Sequence, residues 1–236
     1  MLNELKLENV LFLDIETVPQ YQSFEMLDKR FKYLWEKKAE ILMRNKPETT
    51  PDSLYSSAGI YAEFGKIVCV SCGFMNGKEF RLKSFYGDDE KILLQELADM
   101  LNKHYDTSYH LLCAHNGKEF DFPYISRRML INGLELPNIL NLAGKKPWEV
   151  KHLDTMELWK FGDYKHYTSL ELLAAVFNIP TPKDDIDGSM VGSVYWNDKE
   201  LTRIVEYCQK DVVTIAQLLR RYLGMPLINE SDIVVS

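Results

Sequence analysis

The chain has 236 residues, 46% hydrophobic and 27% charged, with a net charge of −7. That composition builds a globular core and excludes a fibrous or disordered chain. It contains no apolar run near the roughly 20 residues of a membrane helix. The acidity argues against a uniformly basic nucleic-acid scaffold. It leaves room for an enzyme acting on phosphates whose own carboxylates are neutralised by cations. The opening MLNELKLENV lacks the apolar centre of a signal peptide, so a cytoplasmic protein is expected.

The first predicted element is a buried strand over residues 10–16, in the stretch VLFLDIET. Residues 18–61 follow as a mainly helical insertion, and the whole of 1–236 is read as a single domain. Next, two β-rich runs flank Asn76-Gly77, a hairpin signal. Residues 88–104 predict an amphipathic helix with Ile92, Leu93, Leu97, Met100 and Leu101 on its apolar side. YHLLCAH is a short buried strand. DFPYISRRMLINGLELP is a helix opened by Asp121, a favoured N-cap type, with Gly133 near its end. KHLDTMELW reads as a last strand running into a helix, and TSLELLAAVFNI as a helix. PTPKDDIDGSMVGS is a loop, and the long final helix is stopped by Gly224 and Pro226. This order of strands and helices predicts a mixed sheet covered by helices, an α/β fold. Cys69 and Cys72 have metal-like spacing in CVSC, but they lie inside a β-rich run with no second such pair. They are read as core cysteines.

Asp14 and Glu16 share one face of the first strand with Phe12. Two like charges at the end of a buried strand repel and raise each other's pKa unless a cation intervenes, and hard oxygen ligands suit Mg²⁺ or Mn²⁺. A strand simply running out into solvent would also end on acids. The last helix separates these readings. At about 100° per residue, Asp211 falls within about 20° of Ile204 and about 40° of Ile215. It therefore sits on the apolar face with Cys208, Val212 and Leu219, and Tyr207 lies one turn before it. A carboxylate in a buried stripe needs a partner: a metal shared with Asp14 and Glu16, or an arginine or backbone amide.

FLDIET, NGKEFD and YCQKD stand in chain order. They resemble the motifs D-x-E-T, N-x-x-x-F-D and Y-x-x-x-D of the DEDD superfamily of 3′–5′ exonucleases, in its Tyr-containing (DEDDy) subgroup. The resemblance spans about residues 10–223 and is nearest to stand-alone proteins similar to the proofreading exonuclease domain of family B DNA polymerases. PKDDIDGSMVG also looks like that group. The chain is too short to hold a polymerase domain as well.

The resemblance implies a ribonuclease H-like fold and a metal-dependent 3′–5′ exonuclease. Two divalent cations, Mg²⁺ or Mn²⁺, would promote phosphodiester hydrolysis at single-stranded 3′ ends, with DNA favoured over RNA. Asp14 would bridge both ions. Glu16 and Asp211 would hold the ion on the side of the attacking water, and Asp121 the ion facing the leaving 3′-oxygen. Tyr207 would orient the water; with an ordinary pKa near 10 it is a poor base at neutral pH. Thr17 would place its backbone near the terminal nucleotide. Asn116 and Phe120 either contact substrate or shape the turn, and Lys183 is a further candidate for the scissile phosphate. Residues 144–167 interleave lysines with aromatics, which fits either a strand-binding segment or a solvated loop whose rings pack inward. The alternatives are an exoribonuclease of the same fold or an inactive nucleic-acid-binding module.

Overall fold

The computed structural model describes residues 4–45, 47–163, 167–181 and 186–235. Six strands form one mixed sheet in the order β5-β4-β1-β2-β3-β6. The central strand β1 (Val10–Pro19) runs parallel to β4 (Leu111–Ala114) and antiparallel to β2 (Gly65–Asn76). β2 turns back into β3 (Glu79–Tyr86) through Gly77 at φ +63°, a left-handed conformation that glycine adopts without strain. β5 (Leu153–Asp154) lies parallel beside β4 at one edge. β6 (Ile233–Val235), absent from the sequence expectation, pairs parallel with β3 at the other edge.

Alternation along β1 divides the core. Leu11, Leu13 and Ile15 pack with Leu93, Leu97 and Leu101 of α3 (Glu90–His104) and with Phe122, Ile125 and Met129 of α4 (Asp121–Ile131). Val10 and Phe12 point the other way, against Val212, Ile215, Ala216 and Leu219 of α8 (Leu201–Tyr222). Period-2 alternation then commits Asp14 and Glu16 to the α8 side. α3 is phased differently from expectation at one residue. Ile92 is 59% exposed, while Leu94 and Ala98 are buried. Five positions from Leu97 is about 140° around the helix, so Ile92 belongs to the solvent face. Gln217 of α8 is buried despite its polar side chain. Its side chain takes both backbone groups of Ile228 (2.9 and 2.8 Å) and clamps the chain leading to β6.

Between β1 and β2, α1 (Lys29–Leu42) and α2 (Pro51–Tyr55) fold around an aromatic cluster of Trp35, Tyr55 and Phe64. Asp28 caps α1 by accepting from Arg30 and Phe31 N–H (2.8 and 2.9 Å). β1 extends past the expected end, so that Pro19 pairs with Gly65 where the segment closes. Arg128 of α4 meets Glu90 at the start of α3 in a two-pronged ion pair, both residues buried. The remaining elements are α5 (Thr155–Lys160), α6 (Leu170–Val176), α7 (Val191–Ser193) and a π-helical turn over Val194–Asp198 that leads into α8.

Candidate active site

β1 delivers Asp14 and Glu16 to the face crossed by α8, and its register shifts between Glu16 and Thr17. That irregularity offsets the pairing by one residue where the second carboxylate emerges, and the ladder then resumes to Pro19. A ligand atom from each of Asp14, Glu16 and Cys208 lies within 4.8 Å of the other two. The Cys208 thiol donates to the Asp14 carbonyl oxygen (3.4 Å) and to Asp14 Oδ2 (3.5 Å). Glu16 is only 7% exposed, and among the described residues no hydrogen-bond donor meets its carboxylate.

Asp121 and Asp211 stand outside this tight group but act on it electrostatically. Burial, followed by Glu16, Asp211 and Asp121, holds the Asp14 carboxyl well above the usual range, against the pull of the Cys208 thiol. Burial, then Asp211, Cys69 and Asp121, does the same for Glu16. Asp121 is pushed up to about 8. Burial leads, and Asp154 and Asp211 add to it, against hydrogen bonds from its own N–H and that of Ile15. Buried carboxylates that repel one another are the arrangement a divalent ion relieves. The oxygen-rich donor set fits a hard cation, and the residues present therefore fit the metal that the motifs imply.

Asp121 is not the helix cap the sequence suggested. Phe120 occupies the cap position with no side-chain cap bond, and Asp121 is the first helical residue. Its carboxylate turns to the Ile15 N–H, which ties α4 to β1. Tyr207, one turn before Asp211, is hydrogen-bonded to it. Burial and then Asp211, Glu16 and Asp14 drive its pKa upward, so the phenol keeps its proton at neutral pH and acts as a donor.

Asn116 shapes the turn between β4 and α4. It adopts φ +62°, and its carbonyl accepts the Phe120 N–H (3.0 Å). Its side-chain oxygen is buried without a partner. Beside it, a Cβ on Gly117 would stand 2.4 Å from that of Ala114, so only glycine fits. Phe120 is partly buried against Tyr124, at 5.2 Å between ring centroids. Thr17 is hydrogen-bonded to the Tyr124 hydroxyl, which donates to the Gly59 carbonyl (2.6 Å). Lys183, Tyr164 and Lys165 lie outside the described residues. The lysine-aromatic segment is divided: Trp159 stacks on Tyr222, whereas Trp148, Tyr167 and Phe161 are exposed, the last at 90%.

Sequence reasoning missed two residues here. Cys208 was placed on the apolar face of the last helix and read as core; its position directly after Tyr207 and one turn before Val212 was the available signal. Asp154 caps α5 by accepting from Met156 and Glu157 N–H (3.0 and 3.2 Å). The same carboxylate takes the Asn116 and Lys118 N–H groups (3.0 and 3.1 Å). One buried side chain thus pins the turn that carries Asp121.

The mixed sheet in this strand order, flanked by helices and with acids at the tip of its central strand, is a ribonuclease H-like fold. Over 91% of this chain it is similar in fold to the family B DNA polymerase from the hyperthermophilic archaeon Pyrobaculum calidifontis, at a TM-score of 0.53 and 17% identity. The match spans 24% of that polymerase's chain. Residues 60–227 match the family described as "Predicted 3'-5' exonuclease related to the exonuclease domain of PolB", and the chain belongs to that family. No match is found among curated proteins. Among the described residues, no helix is long and apolar enough to cross a membrane.

Proposed function

We propose that this protein is a metal-dependent 3′–5′ exonuclease that hydrolyses the terminal phosphodiester of single-stranded DNA. The observation that carries the reading is Glu16, nine-tenths buried, with no donor among the described residues, close to Asp14 and within the electrostatic reach of Asp211 and Asp121. Such a cluster is costly unless cations fill it.

Asp14, Glu16 and Asp211 would hold one Mg²⁺ or Mn²⁺, and Asp14 with Asp121 a second. When bound, the ions supply Lewis acidity to the scissile phosphate and to the water that attacks it. The chain's own residues do the rest. Tyr207 remains a proton donor on the α8 side and orients a water beside Asp211. Asp154 and the Asn116 turn fix where Asp121 stands. Thr17, directly after the register shift that follows Glu16, would set its backbone near the terminal nucleotide. Phe120 and Asn116 are kept as candidate substrate contacts, and Lys183 as a candidate for the scissile phosphate.

A 5′-labelled single strand, as DNA and as RNA, tests the reading. With Mg²⁺ or Mn²⁺ the DNA should shorten stepwise from its 3′ end, and this should stop on chelation and in Asp14→Ala. Faster loss of the RNA would make the protein an exoribonuclease. Binding without shortening would make it an inactive module.

A further inference from the structure

The same end of the sheet carries a second pocket of opposite sign. It is a cavity of about 500 Å³ lined by Lys66, Asp88, Tyr195, Trp196, Lys199 and Leu201. Lys66 opens β2 opposite Val18, two residues beyond Glu16. The Trp196 indole donates to the Pro19 carbonyl (3.1 Å), so the pocket is fastened to the tip of the strand that bears the acids.

Two ammonium groups converge on one ring. Lys66 Nζ stands 5.3 Å and Lys199 Nζ 5.0 Å from the Trp196 centroid. Asp88 is the acidic side chain of the lining, and a phenol separates it from Lys66. Lys66 Nζ donates to the Tyr195 hydroxyl (2.8 Å), which donates to Asp88 Oδ1 (2.6 Å). The Lys66 ammonium also reaches the Asp88 carbonyl (3.3 Å), which leaves one of its three donors for a ligand. Lys199 holds φ +61°, a conformation that side-chain-bearing residues rarely adopt, directly after the π-helical turn. Backbone strain and π-turns of this kind concentrate at functional positions.

We propose that this pocket is a phosphate site for the strand being degraded, with Lys66 and Lys199 taking a phosphodiester upstream of the scissile one. The inference rests on the exonuclease reading and extends it. A protein of net charge −7 with an acidic reaction centre repels a nucleic-acid backbone, and a cation pair a short way along the same strand tip offsets that repulsion. A dinucleotide without a 5′-phosphate has one phosphodiester, the scissile one, and cannot use the pocket. Longer strands can.

The test measures binding of an oligothymidylate of about 12 nucleotides in chelator across salt concentrations, and separately dinucleotide cleavage with metal. Lys199→Ala and Lys66→Met should each weaken strand binding and reduce the slope of log K against log salt by about 0.7. Dinucleotide kcat/KM should not change. An unchanged slope and affinity in both variants overturns the pocket, as does an equal loss on the dinucleotide. Binding of inorganic phosphate that Lys199→Ala abolishes, with strand binding the same in variant and wild type, would reassign the pocket to free phosphate and overturn the proposal. Failure of the wild-type protein to bind any strand would sink the exonuclease reading itself, a result distinct from an unchanged variant.

Discussion

Glu16 and Glu90 are the same residue type at the same exposure, 7% each, yet they sit in opposite environments. Glu90 accepts from Arg128 Nε (2.8 Å), from the second guanidinium prong, from the Ile67 N–H (2.7 Å) and from Asn132 Nδ2 (2.9 Å). Its charge is matched and its lone pairs are filled, and it locks α3, α4 and β2 together. Glu16 meets Asp14 and Cys208 at close range, and after burial the groups that shift its carboxyl, Asp211, Cys69 and Asp121, all raise its pKa. A buried carboxylate with a built-in cation is structure. A buried carboxylate whose neighbours are carboxylates is the arrangement that a bound cation would relieve.

Exchanging each glutamate for its neutral isostere breaks the comparison most sharply. Glu16→Gln should lower metal-dependent strand shortening by about 10³-fold, while urea denaturation of the metal-free variant shows it more stable than wild type. Glu90→Gln should do the reverse: it leaves the Arg128 guanidinium buried without its counter-charge and costs about 3 kcal/mol of stability. Equal stability effects in the two variants would erase the distinction. Next in size, Asp154→Ala frees four backbone N–H groups and should cost about 2 kcal/mol. Cleavage should fall with it, because the turn carrying Asp121 loosens. Unchanged kinetics would separate that turn from the chemistry. Tyr207→Phe should slow cleavage by about 10- to 100-fold with metal affinity intact, and full activity would refute the role of its hydroxyl.

The smallest effect is the pH dependence of the metal-free protein. Asp14, Glu16 and Asp121 have folded-state pKa values above their ordinary ones, Asp121 up to about 8. The folded state therefore holds protons that the unfolded chain has released. The stabilisation from those protons is complete below about pH 4 and is lost as pH rises through the folded-state values, toward about 8. The melting temperature without metal should fall between pH 5 and pH 8 more steeply in wild type than in Glu16→Gln. Divalent metal at pH 8 should restore it.

What the sequence disclosed follows from the range of each interaction. Asp14 and Glu16 were legible because strand alternation is a two-residue rule, and Asp211 because helical phase puts a charge among Ile204, Val212 and Ile215. Asp121 was read both as a helix cap and as a candidate ligand, because an Asp at a helix start fits two roles, and the structure removes the first. Only the Ile15 N–H, more than a hundred positions away in sequence, distinguishes them. Asp154 was invisible as the anchor of the second motif because the N–H groups it accepts lie 38 and 36 residues upstream. β6 was missed for a similar reason: three residues carry little pattern, and the Gln217–Ile228 clamp that leads the chain there is a tertiary contact. Cys208 reads as core by every local rule, and only the fold sets its thiol against Asp14.

The central claim is that the acids around Glu16 form a divalent-cation site. Calorimetric titration of the metal-free, nucleic-acid-free protein with Mn²⁺ at pH 8 tests it most directly, with Asp14→Ala as the control. Saturable binding by wild type that vanishes in the variant is the predicted result. Identical binding by both proteins, or none by either, would contradict the account.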